Sequence, residues 1–245
     1  THGTDTMEET AYFLELTTDV NMSIVLTGAQ RNLSSISSDF ALNIADSILV
    51  ASNEEAAIYG TVLVFSSEIM LAREAIKTHT SRVSTFKGLN FGPVGTIDNN
   101  KVLWARKPSI LEKYDGKDIE NLIVDIIPSH IGSDSRMLRN SIKDNVDGII
   151  LQGLGGGHVP KKMIDGISEA IKSSIPVILT TRVPEGRLFT ETYGFVGSEK
   201  YLRDLGVILG DSLTPQKARL KLMVLLSSGY DNEKIRHEFE KNCYL

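Results

Sequence analysis

The chain has 245 residues, 41% of them hydrophobic and 23% charged, with a formal net charge of -5. That length builds a substantial core in one large or two smaller domains, and the negative balance gives no electrostatic basis for a nucleic-acid partner. No apolar stretch approaches the roughly 18 to 20 residues that cross a bilayer, and a single cysteine, Cys243, excludes an internal disulfide framework and argues against a cysteine-built metal site.

The first residues read THGTDTMEET. Thr6 and Glu9 fit the S/T-x-x-E capping box ahead of Met7, Ala11 and Leu14, so a helix is expected from Met7 to about Leu16. SIVLTGAQ, Ser23 to Gln30, is a β-branched apolar run broken at Gly28, the pattern of a short buried strand. SSDFALNIADSILVAS places Phe40, Ile44, Ile48 and Ala51 on one helical face, with Ser38 or Asp39 available as a cap. GTVLVF, Gly60 to Phe65, reads as a second strand running into the loop SSE. Ile69 to Thr80 fits either a helix or an irregular extended segment, and NFGPVGTIDNNKVLWARKP carries turn signals around a hairpin with Trp104 on its second strand.

From Lys107 to Asp118 the apolar period disappears, so a linker is expected over 108–118, between domains at 1–107 and 119–245. Beyond it, NLIVDIIP reads as strand, DSRMLRNSIKDN as helix, and DGIILQGLGGG as a strand entering a glycine loop. PKKMIDGISEAIKSS follows as helix, IPVILTTR as strand, and TPQKARLKLMVLLSSG as a helix with proline in its first turn. Strands alternating with helices imply right-handed βαβ units and a parallel sheet. The fold class is α/β, in two unequal parts.

Ligands of such sheets collect beyond the carboxyl ends of strands, which makes THGTD, TGAQR, SSE, LQGLGGGH and TTRVPEG the candidate loops. The glycine loop offers Gly153 and Gly155 to a dinucleotide fingerprint, but its third place is His158. A tight βα turn, or a small-ligand loop lined by backbone amides and His158, are the other readings. Thr4 and Asp5 stand at the positive end of the first helix, where they either cap it or hold a ligand. A threonine hydroxyl needs a neighbouring base to react, and a partly desolvated lysine is one such group. None of the five histidines (His2, His79, His130, His158, His237) has a recognisable metal spacing, so no metal site is expected from them.

THGTDTMEETAYFL resembles a signature of the bacterial-type L-asparaginases, the asparaginase/glutaminase family. LTGAQR, IKTHTSRVSTFKGLNFGPVG, LQGLGGGHVP and TPQKARLKL are similar to further family blocks, in family order, from residue 1 to about residue 224. The resemblance implies a larger Rossmann-like N-terminal domain, truncated at its start, and a smaller parallel α/β C-terminal domain. Relatives carry an upstream segment with a T-G-G-T-I loop, whose threonine is the primary nucleophile, and a mobile tyrosine flap; neither is in this sequence.

By the same resemblance Thr4, Asp5 and Lys77 form a catalytic threonine–aspartate–lysine group. Gly3, Thr4, Asp5, Ala29, His158 and Glu199 are the substrate-binding positions. Asp5 is expected to take the substrate α-ammonium and Ala29 to offer its backbone carbonyl. His158 stands where many relatives have asparagine, and Glu199 is expected to reach a neighbouring subunit's site. The implied activity is hydrolysis of L-asparagine without metal or cofactor, with L-glutamine a further substrate, in a homodimer or homotetramer with shared active sites; a cytoplasmic location is expected beside it. The rivals are a glutaminase subunit of a tRNA-dependent amidotransferase and a non-catalytic amino-acid binding protein.

Overall fold

A computed structural model describes residues 1–241 apart from 20 and 109, so Cys243 lies outside the described residues. The chain divides into two compact units, Thr1–Lys113 and Tyr114–Leu245.

In the first unit, helix α1 (Met7–Thr17) precedes strand β1 (Ile24–Leu26), helix α2 (Phe40–Ala51), a 3-10 turn (Glu54–Tyr59) and strand β2 (Thr61–Phe65). Strands β3 (Glu68–Leu71), β4 (Ala75–Lys77), β5 (Phe86–Gly88), β6 (Gly95–Asp98) and β7 (Lys101–Trp104) follow. The main sheet has the order β1-β2-β3-β6-β7; β1 and β2 are parallel, and the remaining pairs are antiparallel. The sheet is therefore mixed, and β4 and β5 form a separate two-stranded ribbon.

Every residue of β2 is buried, because both of its faces are covered. Leu63 and Phe65 join Met7 and Ala11 of α1 in one cluster, while Val62 and Val64 join Val50 of α2 and Tyr59 in another. Met7 and Leu16 are wholly inaccessible, each contributing roughly 1.5–3 kcal/mol by burial. Thr6 is the N-cap of α1, but its hydroxyl accepts no capping bond. Its ψ of 15° is not the extended value that aims an N-cap oxygen at the first turn. The start is closed instead by the Glu9 and Thr10 amides on the Thr6 carbonyl.

Helix α2 turns a different face inward from the one its apolar period indicates. Ile48 is 64% exposed and Phe40 37%, whereas Asn43, Asp46, Ser47 and Val50 are buried. The cause is the backbone around it. Ser66 and Ser67 turn β2 into β3 with φ of 51° and 58°, a left-handed pair matched to hairpin twist. The Ser66 amide donates to Asn43 Oδ1 at 2.9 Å, and the Ser67 hydroxyl donates to Asp46 Oδ2 at 2.8 Å. An apolar face placed there would strand these donors. The segment from Ile69 to Thr80, which fitted either helix or extended chain, is extended: it holds most of β3, a turn and β4. The Asn99–Asn100 turn joins β6 to β7, and Trp104 stacks on Tyr59 at 3.8 Å.

The second unit runs β8 (Val124–Pro128), α3 (Arg136–Lys143), β9 (Gly148–Gly153), α4 (Ile164–Lys172), β10 (Val177–Thr181), α5 (Glu199–Leu205), β11 (Ile208–Leu209), α6 (Pro215–Ser227) and α7 (Asn232–Glu240). Its four strands are all parallel, in the order β11-β10-β9-β8. Leu138 of α3 and Ile164, Ile167 and Ala170 of α4 pack with Ile149, Leu151 and Leu179 in one core. Helix α6 packs on β8 and β9, so close that a Cβ on Gly148 would lie 2.5 Å from Leu222 Cδ2. Pro215 opens α6 after Thr214, whose hydroxyl accepts from the Lys217 amide.

Candidate active site

The opening segment is laid against the loop after β1. The His2 amide donates to the Thr27 carbonyl at 2.8 Å. A Cβ on Gly28 would sit 2.4 Å from the His2 carbonyl oxygen, so glycine is what permits the approach. Across α1, the backbone N–H of Lys77, at the end of β4, donates to the Glu8 carboxylate. These two anchors bring residues 4, 5 and 77 to one place.

There, Lys77 Nζ donates to Thr4 Oγ1 at 2.9 Å and to Asp5 Oδ1 at 3.4 Å. The Lys77 side chain is 20% exposed and that of Asp5 99%, so the ion pair adds little stability. Asp5, Lys77, Thr78, His79 and Thr80 line an open cleft of about 560 Å³. Ala29 lies half-buried in the loop beside Gly28, and a Cβ on Gly3 would meet nothing within 4 Å. A hydroxyl bonded to an ammonium, next to a solvated carboxylate, is equipped to move a proton and to hold a cationic ligand.

Thr4 has a further partner that no sequence motif singles out. Its hydroxyl donates to Gln30 Oε1 at 3.1 Å. Gln30 follows directly on Ala29 in one of the candidate loops, but a glutamine carries no motif of its own. Glu8 is equally silent in the sequence, because its contact with β4 spans 69 residues.

His158 and Glu199 form a second cluster, in the second unit. Glu199 is wholly buried. Its Oε1 accepts from the Thr192 and Tyr193 amides, both at 2.8 Å, and its Oε2 lies 3.1 Å from His158 Nε2. Tyr193 and Phe195 stand edge-on to the His158 ring at 5.2 and 5.1 Å. The glycine loop closes on itself through two backbone bonds between Leu154 and His158. The next helical turn starts only at Lys161, so no helix N-terminus faces Gly153 and Gly155 as a dinucleotide fold requires. A Cβ on Gly156 would lie 2.2 Å from Phe189 Cδ2. Among the described residues, no group of three or more His, Cys, Asp or Glu could hold a metal ion. No helix among them is long and apolar enough to cross a membrane.

Residues 1–110 match the family described as asparaginase, N-terminal, and residues 123–239 the glutaminase/asparaginase C-terminal domain. The chain is 38% identical to an L-asparaginase of Bacillus licheniformis, covering 100% of this chain and 74% of that protein. It is 33% identical to L-asparaginase 2 of Escherichia coli K12, covering 98% and 69%. A subunit of the glutamyl-tRNA(Gln) amidotransferase of Methanobrevibacter smithii is similar at 30%, covering 98% of this chain and 56% of that protein. With both of its parts matched and these identities along its whole length, the chain belongs to the asparaginase family.

Proposed function

We propose that this chain is an L-asparaginase, an amidohydrolase that converts L-asparagine and water to L-aspartate and ammonia by threonine-dependent acyl transfer. One observation carries the assignment of roles: Thr4 Oγ1 and Asp5 Oδ1 both lie on the ammonium of Lys77, from the far side of the sequence. Thr4 orients the nucleophile or attacking water, and Lys77 shuttles the proton that the departing ammonia takes up. Asp5 receives the substrate α-ammonium; its exposed carboxylate supports that role. Gly3 leaves room for the substrate, and Ala29 offers its carbonyl. No metal or cofactor enters the reaction as proposed.

His158 and Glu199 are further substrate-binding residues in this reading. In this reading Glu199 also serves a neighbouring subunit's site. The reading includes a cytoplasmic homodimer or homotetramer with shared sites, and domains at 1–107 and 119–245 joined by a linker at 108–118.

The test is ammonia release from L-asparagine and L-glutamine by the protein that carries this sequence. Release from asparagine, abolished by Lys77→Met, is the expected result. Release from glutamine alone favours the amidotransferase subunit, and binding of either amino acid without release favours a non-catalytic binding protein. Sharing of sites is checked by mixing Thr4→Ala subunits with Glu199→Ala subunits. Activity returns only if one site draws these two residues from two chains.

A further inference from the structure

Lysine ammonium is a donor only: it has three N–H groups and no lone pair. Where Lys77 Nζ donates to Thr4 Oγ1 at 2.9 Å, the Thr4 hydroxyl proton must find another acceptor. The acceptor in place is Gln30 Oε1 at 3.1 Å. The orientation of the Gln30 amide is fixed from its other end, where Nε2 faces the His79 carbonyl at 3.5 Å. A carbonyl only accepts, so the NH₂ group must point there and the oxygen must point at Thr4.

Gln30 is itself held from behind. Asp39, the N-cap residue of α2, makes no side-chain capping bond to its own helix. Instead, its Oδ2 accepts from the backbone N–H of Gln30 at 3.0 Å and its Oδ1 from the backbone N–H of Arg31 at 2.9 Å. Asn43, one turn along and wholly buried, donates to Asp39 Oδ2 at 3.0 Å and to the Gly28 carbonyl at 2.9 Å. The inward polar face of α2 thus fixes the loop from Gly28 to Arg31, the loop fixes Gln30, and Gln30 fixes the direction of one proton.

We infer that Gln30 is a positioning residue for the reaction: it holds the Thr4 hydroxyl with its proton away from Lys77 and a lone pair toward it. The inference rests on the roles proposed above for Thr4 and Lys77. Without that acceptor the hydroxyl rotates, and the Thr4–Lys77 geometry is populated only part of the time. Losing such alignment lowers turnover more than binding.

Gln30→Leu removes the acceptor at nearly constant size, and Gln30→Glu keeps an acceptor oxygen. Steady-state kinetics with L-asparagine and the thermal midpoint are measured for both. For Gln30→Leu, kcat is expected to fall about tenfold, with KM within twofold and the midpoint unchanged, as for loss of one neutral hydrogen bond. Gln30→Glu is expected to restore kcat to within threefold of the parent. Should the leucine variant fold poorly, Gln30→Ala, which only removes atoms, must show the same kcat loss. Equal kcat in the leucine and glutamate variants, an intact kcat, or a rise in KM alone overturns the inference. Lys77→Met in parallel separates the two levels. Full activity there overturns the proposed roles and the inference with them, while loss of activity there beside an intact Gln30→Leu overturns only the part given to Gln30.

Discussion

The Thr4–Asp5–Lys77 group and the His158–Glu199 pair each join a carboxylate to a nitrogen base, yet they are built in opposite ways. Asp5 is almost fully solvated, holds Lys77 at 3.4 Å and faces an open cleft. Glu199 is wholly buried and binds two backbone amides as well as His158. A carboxylate with unused acceptor capacity toward solvent can take a ligand. One whose oxygens are committed to a loop serves that loop first. Changes in the first group should therefore affect turnover and leave stability alone, whereas changes in the second should lower stability as well as substrate use.

The largest effect is expected from Lys77→Met. It should lower kcat about a thousandfold, within the range for a lost proton-transfer group, and leave the thermal midpoint near that of the parent. A matching loss of stability would break the contrast, because Lys77 would then be a structural residue.

Next comes Glu199→Ala, which removes the charged acceptor of the Thr192 and Tyr193 amides and should cost about 3 kcal/mol of unfolding free energy, as for hydrogen bonds to a charged group. Urea titration measures this, and hydrogen exchange should quicken at those two amides. Normal exchange there would show that the loop does not depend on Glu199.

A third carboxylate, also buried, sharpens the contrast. Glu15 on α1 accepts from the Thr61 amide at 2.9 Å. Burial, reinforced by the nearby Glu112 carboxylate, pushes its pKa up from 4.5 to about 7. Between those pH values the folded chain binds more protons than the unfolded one, so stability falls as pH rises from about 4.5 to 7 and then levels off. The full loss is about 3 kcal/mol. Glu15→Gln should flatten that part of the pH–stability curve, whereas an unchanged slope would assign it to other groups.

The smallest effect belongs to Asp5→Asn. Its KM for asparagine should rise about tenfold, as for one charged hydrogen bond, with the thermal midpoint unchanged. A kcat loss as large as that of Lys77→Met would place Asp5 in the proton path rather than in substrate binding.

Most of the local structure is legible in the order of the residues, because it follows period and punctuation. The alternation after residue 119 gives the parallel sheet, Asn99–Asn100 gives the hairpin, and Thr214–Pro215 gives the start of α6. The motif THGTD and the lysine-bearing segment likewise single out Thr4, Asp5 and Lys77 without any geometry. Which side of α2 faces inward, by contrast, is settled by contacts distant in the chain. A 3.6-residue period shows two faces, and the apolar one, with Phe40, Ile44, Ile48 and Ala51, is the natural choice on hydrophobicity alone. The buried face is instead the one that satisfies the Ser66, Gln30 and Arg31 amides and the Gly28 carbonyl. Those groups lie up to 23 residues from their partners on α2. Gln30 is hidden for the same reason. Its meaning depends on the direction of a hydroxyl 26 residues away, and a hydrogen bond of that span leaves no period or spacing in the chain.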